Sequence, residues 1–325
     1  MLAAGQLTVA CDVVPERAAA LAKTADHCAV ADNWEEVVAR PDIDIVIVAT
    51  THDLLAPIAA AAAANSKHVL IEKPGACTAA ELDCVAEAAA RTGALVRVGF
   101  NHRYHRAFRK AREVFESGVL GPIMFIRGRY GHGGRIGYDK EWRSRPEISG
   151  GGELIDQGMH LIDLARWFLG DFVKVQGKVA TYFWDMPVED NGFLLLETAR
   201  DQTAFLHASC TEWKNLFSLE IYGRKGKLEI SGLGGSYGTE RLAHYEMLPE
   251  MGPPPTTIWE YPMADDSWQS EFQHFLEDIR LRRQPDPGIE AAQAALRVVE
   301  TVCGDRKRSS QPRPRKTYQV ARGKS

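Results

Sequence analysis

Several features are scarce in this 325-residue chain, and each scarcity excludes a class of protein. Its six cysteines (Cys11, Cys28, Cys77, Cys84, Cys210, Cys303) are scattered, with no C-x-x-C and no histidine at zinc-finger spacing. Neither a disulfide scaffold nor a metal site is expected, and the thiols read as reduced groups in a cytoplasmic protein. No apolar run approaches the ~20 residues that cross a bilayer. The longest alanine-rich stretch, Ala56 to Ala64, is short and bracketed by Asp53 and Lys67, so no membrane partner is expected. The N-terminus has no basic segment followed by an apolar core, and a signal peptide is not expected. Positive charge is not in excess: 39 Lys and Arg stand against 43 Asp and Glu, a net −4, which argues against nucleic acid as the main partner. The 45% hydrophobic and 25% charged residues are those of a globular protein, long enough for two domains, with a small molecule as the default ligand.

The first hundred residues alternate between two grammars. Leu7–Cys11, Ile43–Thr50, His68–Ile71 and Leu95–Phe100 are short apolar, β-branched runs, as in strands buried on both faces of a parallel sheet. Pro15–Thr24, Trp34–Ala39, Leu54–Ala64 and Ala79–Thr92 are rich in alanine and leucine and predict helices. After residue 104, Ala107–Glu116 predicts a helix and Ile123–Tyr130 a strand. Then come Val173–Phe183, Gly192–Thr198, Ala204–Trp213, Phe217–Tyr222 and Lys227–Ser231, longer strands joined by turn residues, the mark of antiparallel hairpins. Ser267–Arg283 and Ile289–Cys303 predict two closing helices. The expected organisation is α/β: a Rossmann-type parallel-sheet domain over 1–100, then an α+β domain over 101–304 with a large, mostly antiparallel, open-faced sheet. The 305–325 tail, with eight Lys or Arg against one Asp, reads as a disordered basic extension.

In parallel sheets, ligands sit beyond the carboxyl ends of the strands, which directs attention to Asp12, Thr50 to Asp53, Glu72 to Pro74 and Asn101 to Arg103. Asp12 reads either as the acidic residue that bonds the ribose hydroxyls of a dinucleotide or as the start of a loop. In the first case, counting back to the glycine-rich turn runs past residue 1. The parallel sheet is then expected to be N-terminally truncated, without its first strand and phosphate-binding turn.

The segment from Gly150 to Trp167 places Asp156 and His160 four residues apart, on one face of a predicted helix. The pair reads either as a histidine general base oriented by a carboxylate or as a buried cross-link. Three glycines, Gly150 to Gly152, are expected to let a ligand approach the backbone. His102 and His105 are expected on a solvent-facing turn, without a role. Arg129, Tyr130, His132 and Arg135 are expected near the pocket.

Together these segments resemble the Gfo/Idh/MocA oxidoreductases. Glu72-Lys73-Pro74 is similar to that family's E-K-P motif, and Gly99-Phe100-Asn101-His102-Arg103-Tyr104 to its G-F-N-x-R-F segment. Trp142-Arg143, the three glycines and Asp156-x-x-x-His160-x-x-Asp163 resemble its substrate helix, and Val188-Glu189-Asp190-Asn191 also fits. The resemblance implies an NAD(P)-dependent oxidoreductase acting on a secondary alcohol of a sugar, polyol or nucleotide-sugar. It gives Lys73, Asp156 and His160 catalytic roles. Lys73 would contact the reacting hydroxyl, His160 would be the base, and Asp156 would orient it or bind a neighbouring hydroxyl. Asp12, Thr50, His52, Glu72, Lys73, Asn101, Arg103, Trp142 and Arg143 would line the cofactor. Asp12 favours NAD over NADP, with Arg17 pulling slightly the other way, and a homodimer or homotetramer is implied. Two alternatives stay open: a non-catalytic or cofactor-impaired sugar-binding or regulatory homologue, and an NAD-dependent hydrolase or epimerase of the same fold.

Overall fold

The computed structural model describes residues 7–309. Most of the basic tail expected over 305–325 lies outside them. The chain first alternates strand and helix: β1 (Val9–Cys11), α1 (Pro15–Ala22), β2 (Ala29–Ala31), α2 (Trp34–Ala39), β3 (Ile45–Val48), α3 (His52–Ala64), β4 (His68–Glu72), α4 (Glu81–Thr92) and β5 (Val96–Gly99). All pairings here are parallel, as crossover helices require. They form two ladders, β1-β2 and β3-β4-β5, and no ladder among the described residues joins β1 to β3. Val69 and Ile71 of β4 and Val98 of β5 are fully buried. Against them pack the alanines of α3, with Ala59, Ala62 and Ala63 at 0% exposure, side chains small enough for helix and sheet to approach closely.

A turn at Asn101–Tyr104 leads into α5 (Arg106–Glu116), β6 (Ile123–Gly131), the short α6 (Pro146–Ser149) and α7 (Met159–Leu169). There follow β7 (Phe172–Ala180), β8 (Asn191–Thr198), β9 (Thr203–Ser209), β10 (Leu216–Gly223), β11 (Gly226–Ser231), β12 (Glu240–Glu246) and β13 (Thr256–Tyr261). They make one eight-stranded sheet, ordered β13-β12-β11-β10-β6-β9-β8-β7, antiparallel except for the central β6–β9 pair. Strand β10 shows why: its residues alternate half-buried and buried, so one face meets the core and the other stays open. The sequence pattern passes over β2, β12 and β13. The first has three residues, and the other two mix charged and aromatic side chains without clean alternation.

Two helices close the chain, α8 (Ser267–Leu281) and α9 (Ile289–Ser309), the latter running six residues beyond the predicted Cys303. They return to the parallel sheet. Phe272 and Phe275 of α8 cluster with Leu70 and Leu95, and α9 packs on β5 as well as β7.

Two buried arginines fasten this return. Arg97 of β5, 2% exposed, reaches the Asp278 carboxylate, the Tyr104 hydroxyl and the Asp286 carbonyl. Arg103 is forked onto Asp163 of α7 through Nε (2.8 Å) and Nη2 (2.6 Å), with Nη1 on Asp286 (2.8 Å). Removing one partner of such a pair strands a buried charge. Asp278→Ala is therefore expected to cost about 3–5 kcal/mol of unfolding free energy. Urea denaturation of wild type and variant checks it.

Candidate active site

Four pieces of backbone converge where the two sheets meet. Strand β4 ends at Glu72-Lys73, followed by a cis Lys73–Pro74 bond. The Asn101–Tyr104 turn follows β5, and the segment 130–145 descends from β6. A wide π-helical turn, Leu154–Gly158, feeds α7. That turn is built on Glu189, whose Oε1 accepts the amides of Gly152 (3.1 Å) and Leu154 (3.3 Å). Two of the glycines, Gly150 and Gly152, serve this packing. A Cβ on Gly152 would lie 2.0 Å from the Glu189 carbonyl oxygen, and one on Gly150 would lie 2.8 Å from Cys77 Cβ. The next residue, Asp190, accepts the amides of Tyr182, Phe183 and Trp184 and so fixes the neighbouring loop.

The expected Asp156–His160 link is absent from the described residues. Asp156 Oδ1 instead accepts from Lys73 Nζ (2.5 Å), which also donates to the Asp156 carbonyl (2.8 Å), and Oδ2 accepts from Arg143 Nε (2.8 Å). The i, i+4 argument assumes α-helical geometry, and the π turn changes the register just where it was applied. Burial alone would raise the Asp156 carboxyl, but the Lys73 ammonium and Arg143 guanidinium outweigh it and hold the group well below the usual carboxylate range.

His160 has a different neighbour. Its ring stacks on His102, with centroids 3.7 Å apart and planes 21° from parallel, and its Nδ1 is buried with no hydrogen-bond partner among the described residues. Burial and the Lys73 ammonium push its pKa well below the ordinary histidine value, so the neutral ring prevails. His102 and His105, expected in solvent, are buried; His102 sits with Nδ1 at 3.1 Å from Asn101 Oδ1, and His105 faces Glu240 and Asp265.

These groups wall a cavity of about 540 Å³. Of the residues singled out from sequence it brings together Glu72, Lys73, Asn101, Arg143, Asp156 and His160. Tyr130, His132 and Arg135 also line it, whereas Arg129 points to the open face of the sheet, exposed. Five others lie outside its wall. Asp12 accepts the Val14 amide at 2.8 Å where α1 begins, and Thr50 is exposed at the end of β3. His52 is buried against the Ser149 carbonyl (2.8 Å), with the Trp142 ring at its edge (4.8 Å). Arg103 is consumed by the ion pairs above. Sequence reasoning missed His102, Glu153 and Tyr237. Glu153 stands behind the site, and burial and Asp156 raise its carboxyl well above the usual range. The one available signal was His102, in the middle of a motif otherwise accounted for.

A nicotinamide dinucleotide fits these residues at its nicotinamide end. Lys73, Arg143 and the His160 ring offer polar contacts beyond the carboxyl end of β4, where parallel sheets hold ligands. Thr50 and Asp12, at the ends of β3 and β1, could meet the remaining ribose groups. Among the described residues, no glycine-rich turn opens a helix to receive the pyrophosphate.

The buried His52 supplies a pH test. Burial, then the Lys73 ammonium, lower its pKa from 6.5 to about 4. Between these values the unfolded chain binds a proton that the folded one does not, so the stability associated with His52 is complete above 6.5 and is lost as pH falls toward 4. In that window the wild type is expected to lose about 1.4 kcal/mol per pH unit relative to His52→Asn. Parallel denaturant titrations of both proteins read the difference.

A sequence model described as "Oxidoreductase family, NAD-binding Rossmann fold" matches residues 2–100, and one for the GFO/IDH/MocA C-terminal domain matches residues 108–229. A levoglucosan dehydrogenase of Pseudarthrobacter phenanthrenivorans is 33% identical over 57% of this chain and 48% of its own length. An inositol 2-dehydrogenase of Salmonella paratyphi B is 28% identical over 55% and 50%. The chain thus spans about half the length of these curated relatives. A solved levoglucosan dehydrogenase in complex with NADH and levoglucosan superposes with a TM-score of 0.79 over 92% of this chain and 89% of that one, at 23% identity, a likeness of fold. With both halves matched in order and the same architecture, the chain belongs to the Gfo/Idh/MocA oxidoreductase family.

Proposed function

We propose that the protein oxidises a secondary alcohol of a sugar or polyol with a nicotinamide cofactor, NAD in preference to NADP. The observation that carries this reading is the pairing of an anchored Lys73 ammonium with a neutral His160 ring on the wall of one cavity. A substrate hydroxyl placed between them gives its proton to the His160 ring, and Lys73 donates a hydrogen bond to the oxygen as negative charge grows on it. Asp156 fixes Lys73 through two bonds, so the donor is in place before the substrate arrives. The neutral form of His160 is the one able to accept. When bound, the cofactor supplies the acceptor for the hydride that leaves the same carbon. The NAD preference rests on Asp12, whose carboxylate repels a 2′-phosphate.

A mere binder has no need of this acid–base set, which disfavours the non-catalytic alternative. The unpaired cysteines support a reducing, cytoplasmic location. The open sheet face carries Leu195 and Phe205, exposed and directly paired across β8 and β9, and we assign it to a homodimer or homotetramer.

A sugar and polyol panel followed by the absorbance of reduced nicotinamide tests the activity. His160→Ala is expected to lower turnover by roughly two to four decades with cofactor affinity nearly unchanged. Near-normal turnover of that variant from pH 6 to 9 would remove His160 from the mechanism. Light scattering is expected to give a multiple of 36.0 kDa for the wild type and a smaller species for Phe205→Asp.

A further inference from the structure

A line of aromatic rings leaves the cavity and ends in solvent. Tyr138, in the cavity wall, meets Trp184 at 5.6 Å between centroids; Trp184 meets Phe183 at 5.2 Å, and Phe183 meets Trp213 at 4.7 Å. The inner rings are held firmly. Trp184 Nε1 donates to the Cys210 carbonyl (2.9 Å), and its ring lies where a Cβ on Gly134 would be, 2.4 Å away. The outer ones are open: Trp213 is 72% exposed and Phe183 53%.

Two details separate this line from ordinary surface aromatics. Trp213 has φ 59, a conformation that is costly for a bulky residue, on the order of 1–3 kcal/mol, and kept only where its surroundings enforce it. Its backbone lies against Gly133, where a Cβ would come within 3.2 Å. Two residues on, Asn215 lines the cavity and donates to Ser236 Oγ (2.6 Å). Arg135, joined to Glu141 at 2.7 Å, lines the same cavity. Exposed rings on segments that also carry polar groups of the cavity wall match the two-sided chemistry of a pyranose, with its apolar C–H faces and hydroxyl edge.

We propose that Trp213 and Phe183 form a second sugar subsite at the mouth of the cavity, so that the preferred substrate is a glycoside or oligosaccharide and not a free monosaccharide. The inference deepens the sugar-oxidoreductase reading and rests on it. A second protein copy is the weaker occupant. Two partly exposed aromatics offer roughly 200–300 Å², by the usual area of such side chains, against the ~800 Å² per partner of a stable interface.

The experiment uses the full chain and five probes: glucose, galactose, cellobiose, maltose and lactose. Binding is read by calorimetry without cofactor, and oxidation by nicotinamide absorbance. At least one disaccharide is expected to bind tenfold or more tighter than either monosaccharide. Trp213→Asn, a residue that tolerates positive φ, is expected to abolish that advantage. It should raise KM for the disaccharide at least tenfold with kcat within twofold, and leave monosaccharide values and melting temperature unchanged. Trp213→Phe should restore most of the affinity, and Phe183→Ala should repeat the loss. Disaccharide binding that depends on Trp213 without any oxidation would uphold the subsite and sink the oxidoreductase reading. No disaccharide advantage, or an advantage untouched by Trp213→Asn and Phe183→Ala, overturns the subsite. So does a fall in oligomer size for Trp213→Asn with sugar binding unchanged, which would make the patch a protein interface.

Discussion

The Asp156 carboxylate, buried and shared between Lys73 and Arg143, is the interaction on which the site depends. A buried carboxylate is costly unless its lone pairs are occupied by cations or donors, and here both oxygens are. The pairing ties β4, the 142–145 segment and the π turn into one unit, and it points the Lys73 ammonium into the cavity beside a histidine that burial keeps neutral. Glu189 plays the matching part from beneath. It binds the amides at the start of the π turn, and the glycine it touches has no room for a side chain.

Charge also decides how the parts of the molecule are fitted together. Arg97 and Arg103 leave β5 and the turn after it, and find carboxylates on α8, on α7 and in the loop before α9. Because α8 and α9 come from the far end of the chain yet pack on β4 and β5, the cavity wall is braced by segments almost 200 residues apart. The arginine within the G-F-N-x-R-F-like motif thus acts on the site through the framework. Its guanidinium is held by two carboxylates, Asp163 and Asp286.

Local chemistry made much of the fold legible. Short β-branched runs alternating with alanine-rich stretches specify a parallel α/β unit, since only that arrangement buries strands on both faces. The longer alternating strands specify an open antiparallel sheet. Strands β2, β12 and β13 were not legible, because three residues carry no period and the mixed charged and aromatic residues of the other two alternate little. In the site, Lys73 at the end of β4 and His160 on α7 were legible from position. His102 was not, because nothing local says that a histidine after Asn101 turns inward to stack on a ring 58 residues away in sequence.

By itself, then, the sequence determined the order and type of most elements, the family, and the candidate acid–base residues, all of which follow from periodicity, composition and short motifs. Tertiary structure alone decided the partners. Asp156 lies four residues from His160 but bonds to Lys73, 83 positions away. A π turn alters the local register, and a buried carboxylate is satisfied by whichever cations the fold brings to it. The aromatic line from Tyr138 to Trp213 has the same origin: its rings come from three separate segments, and only the folded chain places them in sequence, leading outward from the cavity wall.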